Sequence, residues 1–128
     1  MSTDNFQVHD GLLAVQQTSQ GKRIRIALKG EMDLANTETP GAMLREALAS
    51  GKEVLVDLGK LEFLDSTGVA MLVTAMQEGG KRLSFQPSEY PAVGRLLRLT
   101  GLDERMNIVP IAEVLPAAEA SRPLQPAA

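Results

Sequence analysis

The chain has no cysteine, no tryptophan, a single histidine and only 3% aromatic residues. Without cysteine it can form neither a disulfide framework nor a thiolate metal site, and it has no thiol nucleophile. Few aromatics and a formal net charge of −3 argue against a nucleic-acid surface. No apolar run approaches the roughly 18 residues of a membrane span, and residues 1–10 lack a signal-peptide core. We therefore expect a cytoplasmic protein that binds neither nucleic acid nor membrane.

A length of 128 residues is enough for one domain with one hydrophobic core. Composition divides the chain into three parts. Residues 1–11 are polar and are expected to be a flexible N-terminal segment, and residues 12–116 carry the periodic apolar pattern of a folded domain. Residues 117–128 are rich in proline and alanine and are expected to be a disordered tail.

Alternating apolar residues predict an N-terminal β-hairpin, with strands over 12–18 and 23–29 joined by a turn at Ser19-Gln20-Gly21. Beyond the hairpin, helical and strand patterns alternate, which is typical of an α/β domain with a mixed, mostly parallel sheet. We expect about four helices, near 37–50, 66–78, 89–99 and 111–120, and further strands at 54–57, 82–85 and 107–109.

One junction between a strand and a helix carries most of the chemical information. The apolar run Val54–Val56 meets Asp57 and a loop that ends in Asp65-Ser66-Thr67-Gly68, and a helical apolar stripe follows from Val69. The start of a helix has unsatisfied N–H groups and a partial positive charge. Ser66 therefore fits two roles, as a residue that caps the helix and as one that holds a phosphate.

Several motifs together resemble the STAS domain of anti-sigma factor antagonists, over roughly residues 12–115. The resemblance rests on Gly30-Glu31-Met32-Asp33 and on the sequence from Phe63 to Val69, which contains Asp-Ser-Thr-Gly. Two further segments extend it, Gly79–Leu83 and Val93–Leu102. The combination of Gly-Glu-x-Asp with Asp-Ser-Thr-Gly at a strand-to-helix junction is more specific than either motif alone.

The resemblance implies a non-enzymatic bacterial regulator of transcription that switches partners. Such a protein binds an anti-sigma factor that is also a serine kinase of the histidine-kinase-like ATPase fold, and this binding frees a sigma factor. The kinase inactivates the antagonist by phosphorylating the serine of the box, and a phosphoserine phosphatase restores it. Carried over by position, Ser66 is the phosphate acceptor. No cofactor and no metal are implied.

The expected partner-binding residues surround the acceptor. They are Asp33, Asp65, Ser66, Thr67, Gly68 and Val69. Thr67 is the alternative acceptor, although a β-branched residue in the first helical turn is more often packed or capping. Gly68 either allows a close approach to the helix start or is a plain loop glycine. Asp57 is expected to end its strand and cap a turn.

Three other classes compete with this interpretation. A serine hydrolase needs a base near Ser66, but the one histidine is His9, and the Gly-x-Ser-x-Gly elbow is absent. A receiver domain phosphorylated on Asp57 would need an acidic pair and a lysine that the pattern does not supply. The third alternative is a STAS-type scaffold or regulatory module in a partner-switching or transport complex that does not control a sigma factor.

Overall fold

Strands fill the first quarter of the structure, and helices then alternate with strands. The computed structural model describes residues 3–109. Its strands are β1 (Thr3–Asp10), β2 (Leu13–Gln20), β3 (Arg23–Met32), β4 (Glu53–Leu64) and β5 (Leu83–Gln86), and its α-helices are α1 (Glu38–Ala49), α2 (Ser66–Gly79) and α3 (Pro91–Leu99). Short 3₁₀ turns lie at Gly80–Arg82 and Leu102–Glu104.

The sheet is mixed, and its spatial order β1-β2-β3-β4-β5 is the order of the sequence. The pairs β1–β2 and β2–β3 are antiparallel, whereas β3–β4 and β4–β5 are parallel. The predicted α/β class, the mixed sheet and the β2–β3 hairpin are therefore confirmed. Because α1 and α2 are successive crossovers in one direction along the sheet, the right-handed rule places both on the same face, and they pack against each other.

The expectation that residues 1–11 are a flexible segment is wrong for residues 3–10, which form the edge strand β1. Phe6 pairs with Gln17 and Val8 with Val15 in an uninterrupted antiparallel register. Gly11, with φ of 61°, makes the turn into β2. The alternation of Phe6 and Val8 with polar neighbours is a weak strand signal, and pairing with β2 is sufficient to order it.

Gly30 shapes the end of β3 that leads to the Asp33 loop. Its φ of +104° is a backbone conformation that only glycine adopts readily. A Cβ at this position would be closer to the Leu12 carbonyl oxygen than van der Waals contact allows. The next amide, of Glu31, donates to that same oxygen at 3.0 Å. The β3–β4 register shifts between Gly30 and Glu31. The glycine thus permits a bulge that redirects the chain toward Met32 and Asp33.

Strand β4 is longer than predicted, because it continues beyond Asp57 to Leu64 along β3. The sequence predicted that Asp57 ends a strand and caps a turn. This prediction is wrong, because Asp57 lies inside β4. Its buried carboxylate pairs with the Arg25 guanidinium and accepts the Gly59 N–H at 2.8 Å. A guanidinium cation and a backbone N–H thus satisfy a carboxylate that would otherwise be costly to bury.

Apolar residues of the sheet and of all three helices form one core. Its most buried members include Leu13, Val15, Ile26, Leu28, Met32, Leu44, Val56, Leu58, Leu61, Leu72, Phe85 and Val93. Of the predicted last strand, an isolated parallel bridge from Ile108 to Phe85 is present. The predicted helix at 111–120, the boundary at 116 and the tail at 117–128 lie outside the described residues. Within residues 3–109, no helix combines the length and apolarity needed to cross a membrane.

Candidate functional site

The Asp-Ser-Thr-Gly box lies where β4 ends and α2 begins, as the sequence predicted. Asp65 is the N-cap residue with extended backbone, and Ser66 is the first residue of the helix. Ser66 is exposed, and within residues 3–109 its hydroxyl makes no hydrogen bond. The capping role considered for Ser66 therefore belongs to Asp65, and the serine hydroxyl is left at the surface.

Asp65 joins the start of α2 to the loop that precedes α1. Its Oδ1 atom accepts the backbone N–H groups of Thr67 at 3.0 Å and Gly68 at 3.2 Å. Its Oδ2 atom accepts the N–H of Leu34 at 3.1 Å, and its own N–H donates to the Met32 carbonyl at 3.2 Å. One carboxylate thus satisfies two N–H groups of the helix start and fixes a second loop.

The hydrogen bonds around Asp65 lower the pKa of its carboxyl group below the usual value of 3.8. The hydrogen bond from the Thr67 hydroxyl is the largest cause. Burial, the second largest effect, raises the pKa, and the backbone N–H groups of Gly68, Leu34 and Thr67 each lower it further. Asp65 is therefore ionised at neutral pH. The negatively charged Asp65 carboxylate therefore belongs to the residue directly before Ser66.

Thr67, the alternative acceptor, has its hydroxyl engaged inside the site. It is half-buried, donates to Asp65 Oδ1 at 2.5 Å and lies 3.1 Å from the Thr37 hydroxyl at the N-cap of α1. A kinase would have to break these contacts to reach it, whereas Ser66 is accessible as it stands. Of the two hydroxyl groups, that of Ser66 is therefore the accessible one.

Asp33 lies in the same loop that Asp65 holds, so the structure brings the two motifs together. Its Oδ1 atom accepts the Ala35 N–H at 3.0 Å, and its carbonyl accepts the N–H groups of Asn36 and Thr37, both at 3.0 Å. Asn36 is buried beneath the loop, and its Oδ1 atom accepts the Asp33 N–H at 2.9 Å. Asp33 is half-buried, and its side chain helps to shape the loop beside the box.

Gly68 and Val69 contribute to packing more than to the exposed surface. A Cβ on Gly68 would lie 3.1 Å from Met32 Cε and 3.2 Å from Leu64 Cβ, so the glycine allows α2 to pack closely on side chains of β3 and β4. Val69 is half-buried against the core. Of the six predicted partner-binding residues, Ser66 is the most openly presented.

Leu34, which no sequence pattern singled out, is the most exposed large apolar side chain beside the box, at 78%. Its backbone is held by Asp65, so an apolar side chain is fixed at the surface one hydrogen bond from the acidic residue. An apolar residue directly after the Gly-Glu-x-Asp motif, in a loop rather than in a strand or helix, is the signal that could have identified it. Phe63, 45% exposed, is a second apolar side chain near the end of β4.

The two enzymatic or phospho-acceptor alternatives find no support in this geometry. His9 contacts the Gln7 side chain on β1, and in the described part of the chain no hydrogen bond joins it to Ser66. Asp57 is committed to Arg25 and Gly59, and the mixed sheet differs from the parallel, reordered sheet of receiver domains.

Replacing Asp65 with alanine is expected to lower the melting temperature by about 5 °C. The substitution removes both the N-cap hydrogen bonds of α2 and the hydrogen bond to the Leu34 N–H. Thermal unfolding followed by circular dichroism measures the effect. Asp65→Asn, which keeps an acceptor oxygen, should lower the melting temperature less than Asp65→Ala does. Glu46→Ala, at an exposed site on α1, is the control, and an equal melting temperature for Asp65→Ala and this control would contradict the role assigned to Asp65.

Acidification is expected to remove the contribution of the Asp65 carboxylate to the stability of the folded protein. Because the pKa of Asp65 is lower in the folded protein than the ordinary 3.8, its stabilising effect is complete above that value. The effect is lost as the pH falls through the folded pKa, when the carboxylate is protonated. Urea unfolding at pH 7 and pH 3 should therefore show a smaller loss of stability for Asp65→Asn than for the natural protein. Equal losses would show that Asp65 does not contribute.

Comparison with known proteins agrees with the geometry. Residues 15–112 match a family model described as "Mlab, STAS domain". An anti-sigma factor antagonist from Mycobacterium paratuberculosis superposes with a TM-score of 0.71 at 22% identity, covering 84% of this chain and 94% of that one. The anti-sigma factor antagonist SpoIIAA in its unphosphorylated form gives 0.66 at 20% identity, covering 83% and 96%. The Bacillus cell fate determinant SpoIIAA in its phosphorylated form gives 0.60 at 21% identity, covering 84% and 99%.

At these identities the structural likeness shows a shared fold, and the family match supplies the assignment. It spans the described sheet from β2 onward, including Gly30, Asp33 and the whole Asp-Ser-Thr-Gly box. The resemblance read from those motifs is confirmed: the chain belongs to the STAS-domain family.

Proposed function

We propose that the protein is an anti-sigma factor antagonist regulated by phosphorylation of Ser66. In its unmodified form it binds an anti-sigma factor that is also a serine kinase of the histidine-kinase-like ATPase fold, and so releases a sigma factor in the cytoplasm. Phosphorylation by that kinase ends the interaction, and a phosphoserine phosphatase restores it. The protein itself acts by binding and performs no catalysis.

The observation that carries this proposal is the occupation of the helix start by Asp65. Its carboxylate already accepts the N–H groups of Thr67 and Gly68, which would otherwise be available to an anion. A phosphate on Ser66 would therefore keep its charge of about −1.5 to −2 at the surface, next to an ionised carboxylate. A partner that packs on the neutral serine would meet a concentrated negative charge after modification.

The solved structures also support regulation by phosphorylation. A protein with this fold is described as an anti-sigma factor antagonist in an unphosphorylated form, and a structure of its phosphorylated form is also known. The fold thus accommodates both states. For this chain, the accessible hydroxyl at Ser66 and the engaged hydroxyl at Thr67 favour Ser66 as the modified atom.

Phosphorylation by the partner kinase tests the proposal. The kinase bound by unmodified protein is purified and incubated with the protein and ATP, and the modified peptide is identified by mass spectrometry. We expect one phosphate, on Ser66, absent from Ser66→Ala and retained by Thr67→Ala. Undiminished modification of Ser66→Ala would contradict the assignment.

A second candidate is a STAS module that regulates a complex without a sigma factor. The description of the matching family model, which names Mlab rather than an anti-sigma factor antagonist, favours this alternative. The two differ in their output. Adding the protein to a purified complex of its partner should displace a sigma factor under the first proposal, whereas under the second no sigma factor is present to be displaced.

A further inference from the structure

A groove runs between α1 and α2, beginning next to the Asp-Ser-Thr-Gly box. Its volume is about 330 Å³. Gly41, Leu44 and Ala75 are buried at its base, and Met71 is half-buried beside them. Gly41 keeps the base open, because a Cβ there would lie 3.3 Å from Met71 Cγ. The groove is therefore wide enough for a side chain of a docking protein, and its base is mostly apolar.

The groove is continuous with the proposed switch. Thr37 and Thr67, whose hydroxyls lie 3.1 Å apart, line its end nearest Ser66, and Leu34 stands at the same end. The Leu34 side chain is 78% exposed while its N–H is fixed by Asp65. An exposed apolar side chain held in place beside an apolar groove is typical of a protein-binding anchor.

The charges at the mouth of the groove select the chemistry of the occupant. Glu38, at the start of α1, and Glu78, near the end of α2, are exposed at the two ends of the groove, and Arg45 is the one cation among the lining residues. The ionised Asp65 lies beyond the end marked by Leu34. The local excess of negative charge complements a lysine or arginine.

We propose that this groove receives an apolar side chain of the anti-sigma partner, flanked by one lysine or arginine against Glu38 and a second against Glu78. The proposal rests on the proposed function and extends it, because it assigns the contact that provides affinity in the unmodified state. Ser66 then acts at one end of the interface, where added negative charge disturbs the packing around Leu34.

Filling the groove tests the apolar part. Ala70 is exposed on α2 and lines the groove, and Ala42 is exposed on α1 outside it. We expect Ala70→Trp to weaken binding to the purified partner kinase about 10- to 100-fold, and Ala42→Trp to change it less than about twofold. Both substitutions are at the surface, so melting temperatures near that of the natural protein should accompany them.

Charge reversal tests the basic part. Glu38→Lys and Glu78→Lys should each weaken binding about fivefold, with a larger effect at low salt, whereas Glu46→Lys, exposed on α1 outside the groove, should not. If Ala70→Trp and both charge reversals bind like their controls while Ser66→Asp still binds weakly, the groove assignment is wrong and the proposed function stands. If Ser66→Asp also binds normally, the proposed function itself fails.

Discussion

Replacing Ser66 with aspartate is expected to weaken binding to the anti-sigma kinase about 5- to 30-fold. The new carboxylate would stand beside Asp65, which holds the N–H groups of Thr67 and Gly68, so its charge would remain at the surface. A partner packed on the neutral hydroxyl must then desolvate an additional anion. Isothermal titration calorimetry with the purified kinase measures the change.

Two control variants and a check of folding separate this effect from others. Ser66→Ala should bind within about twofold of the natural protein, because it keeps the site neutral. Gln77→Glu adds the same charge to an exposed position on α2, about 16 Å further along the helix, and should have little effect. Ser66→Asp should stay folded, because an acidic residue in the first helical turn is favourable. Equal weakening by Ser66→Asp and Gln77→Glu would contradict a site-specific switch.

Replacing Gly30 with alanine is expected to destabilise the protein by about 3 kcal/mol. A Cβ at this position meets the backbone carbonyl of Leu12, and the φ of +104° is unfavourable for any residue with a side chain. Relief requires moving β2 or undoing the bulge that leads to Asp33. Urea unfolding measures the stability, and a shifted bulge should also weaken binding of the kinase.

Gly21 provides the matched control for Gly30. It also has positive φ, at +63°, but nothing lies within 4 Å of a Cβ built there. Gly21→Ala should therefore lower the free energy of unfolding by only about 1 kcal/mol, which is the cost of placing a residue with a side chain at positive φ. If the two substitutions destabilise the protein equally, contact with Leu12 does not determine the need for glycine at position 30.

The sequence was sufficient to predict the parts of the fold that depend on local pattern. The alternation of Ile24, Ile26 and Leu28 with charged neighbours predicted β3, and the apolar stripe from Val69 predicted α2, because each pattern has one period and one buried face. The meeting of Asp33 with the box was also inferred, but from a family resemblance. Composition alone did not bring those two segments together.

The errors came from features that tertiary contacts decide. Asp65 rather than Ser66 caps α2, since both residue types favour the N-cap position and only the backbone shows which one occupies it. Asp57 looked like a strand end because a charged residue seldom sits inside a central strand, yet Arg25 compensates it there. β1 is ordered by its pairing with β2, which a short polar segment does not reveal.

In the proposed switch, a neutral hydroxyl at Ser66 permits binding and a phosphate there prevents it. The most direct measurement titrates one preparation of the partner kinase, without ATP, with unmodified protein and with protein fully phosphorylated on Ser66. We expect the dissociation constant of the phosphorylated form to be about 5- to 150-fold higher. Equal dissociation constants for the two forms would contradict it.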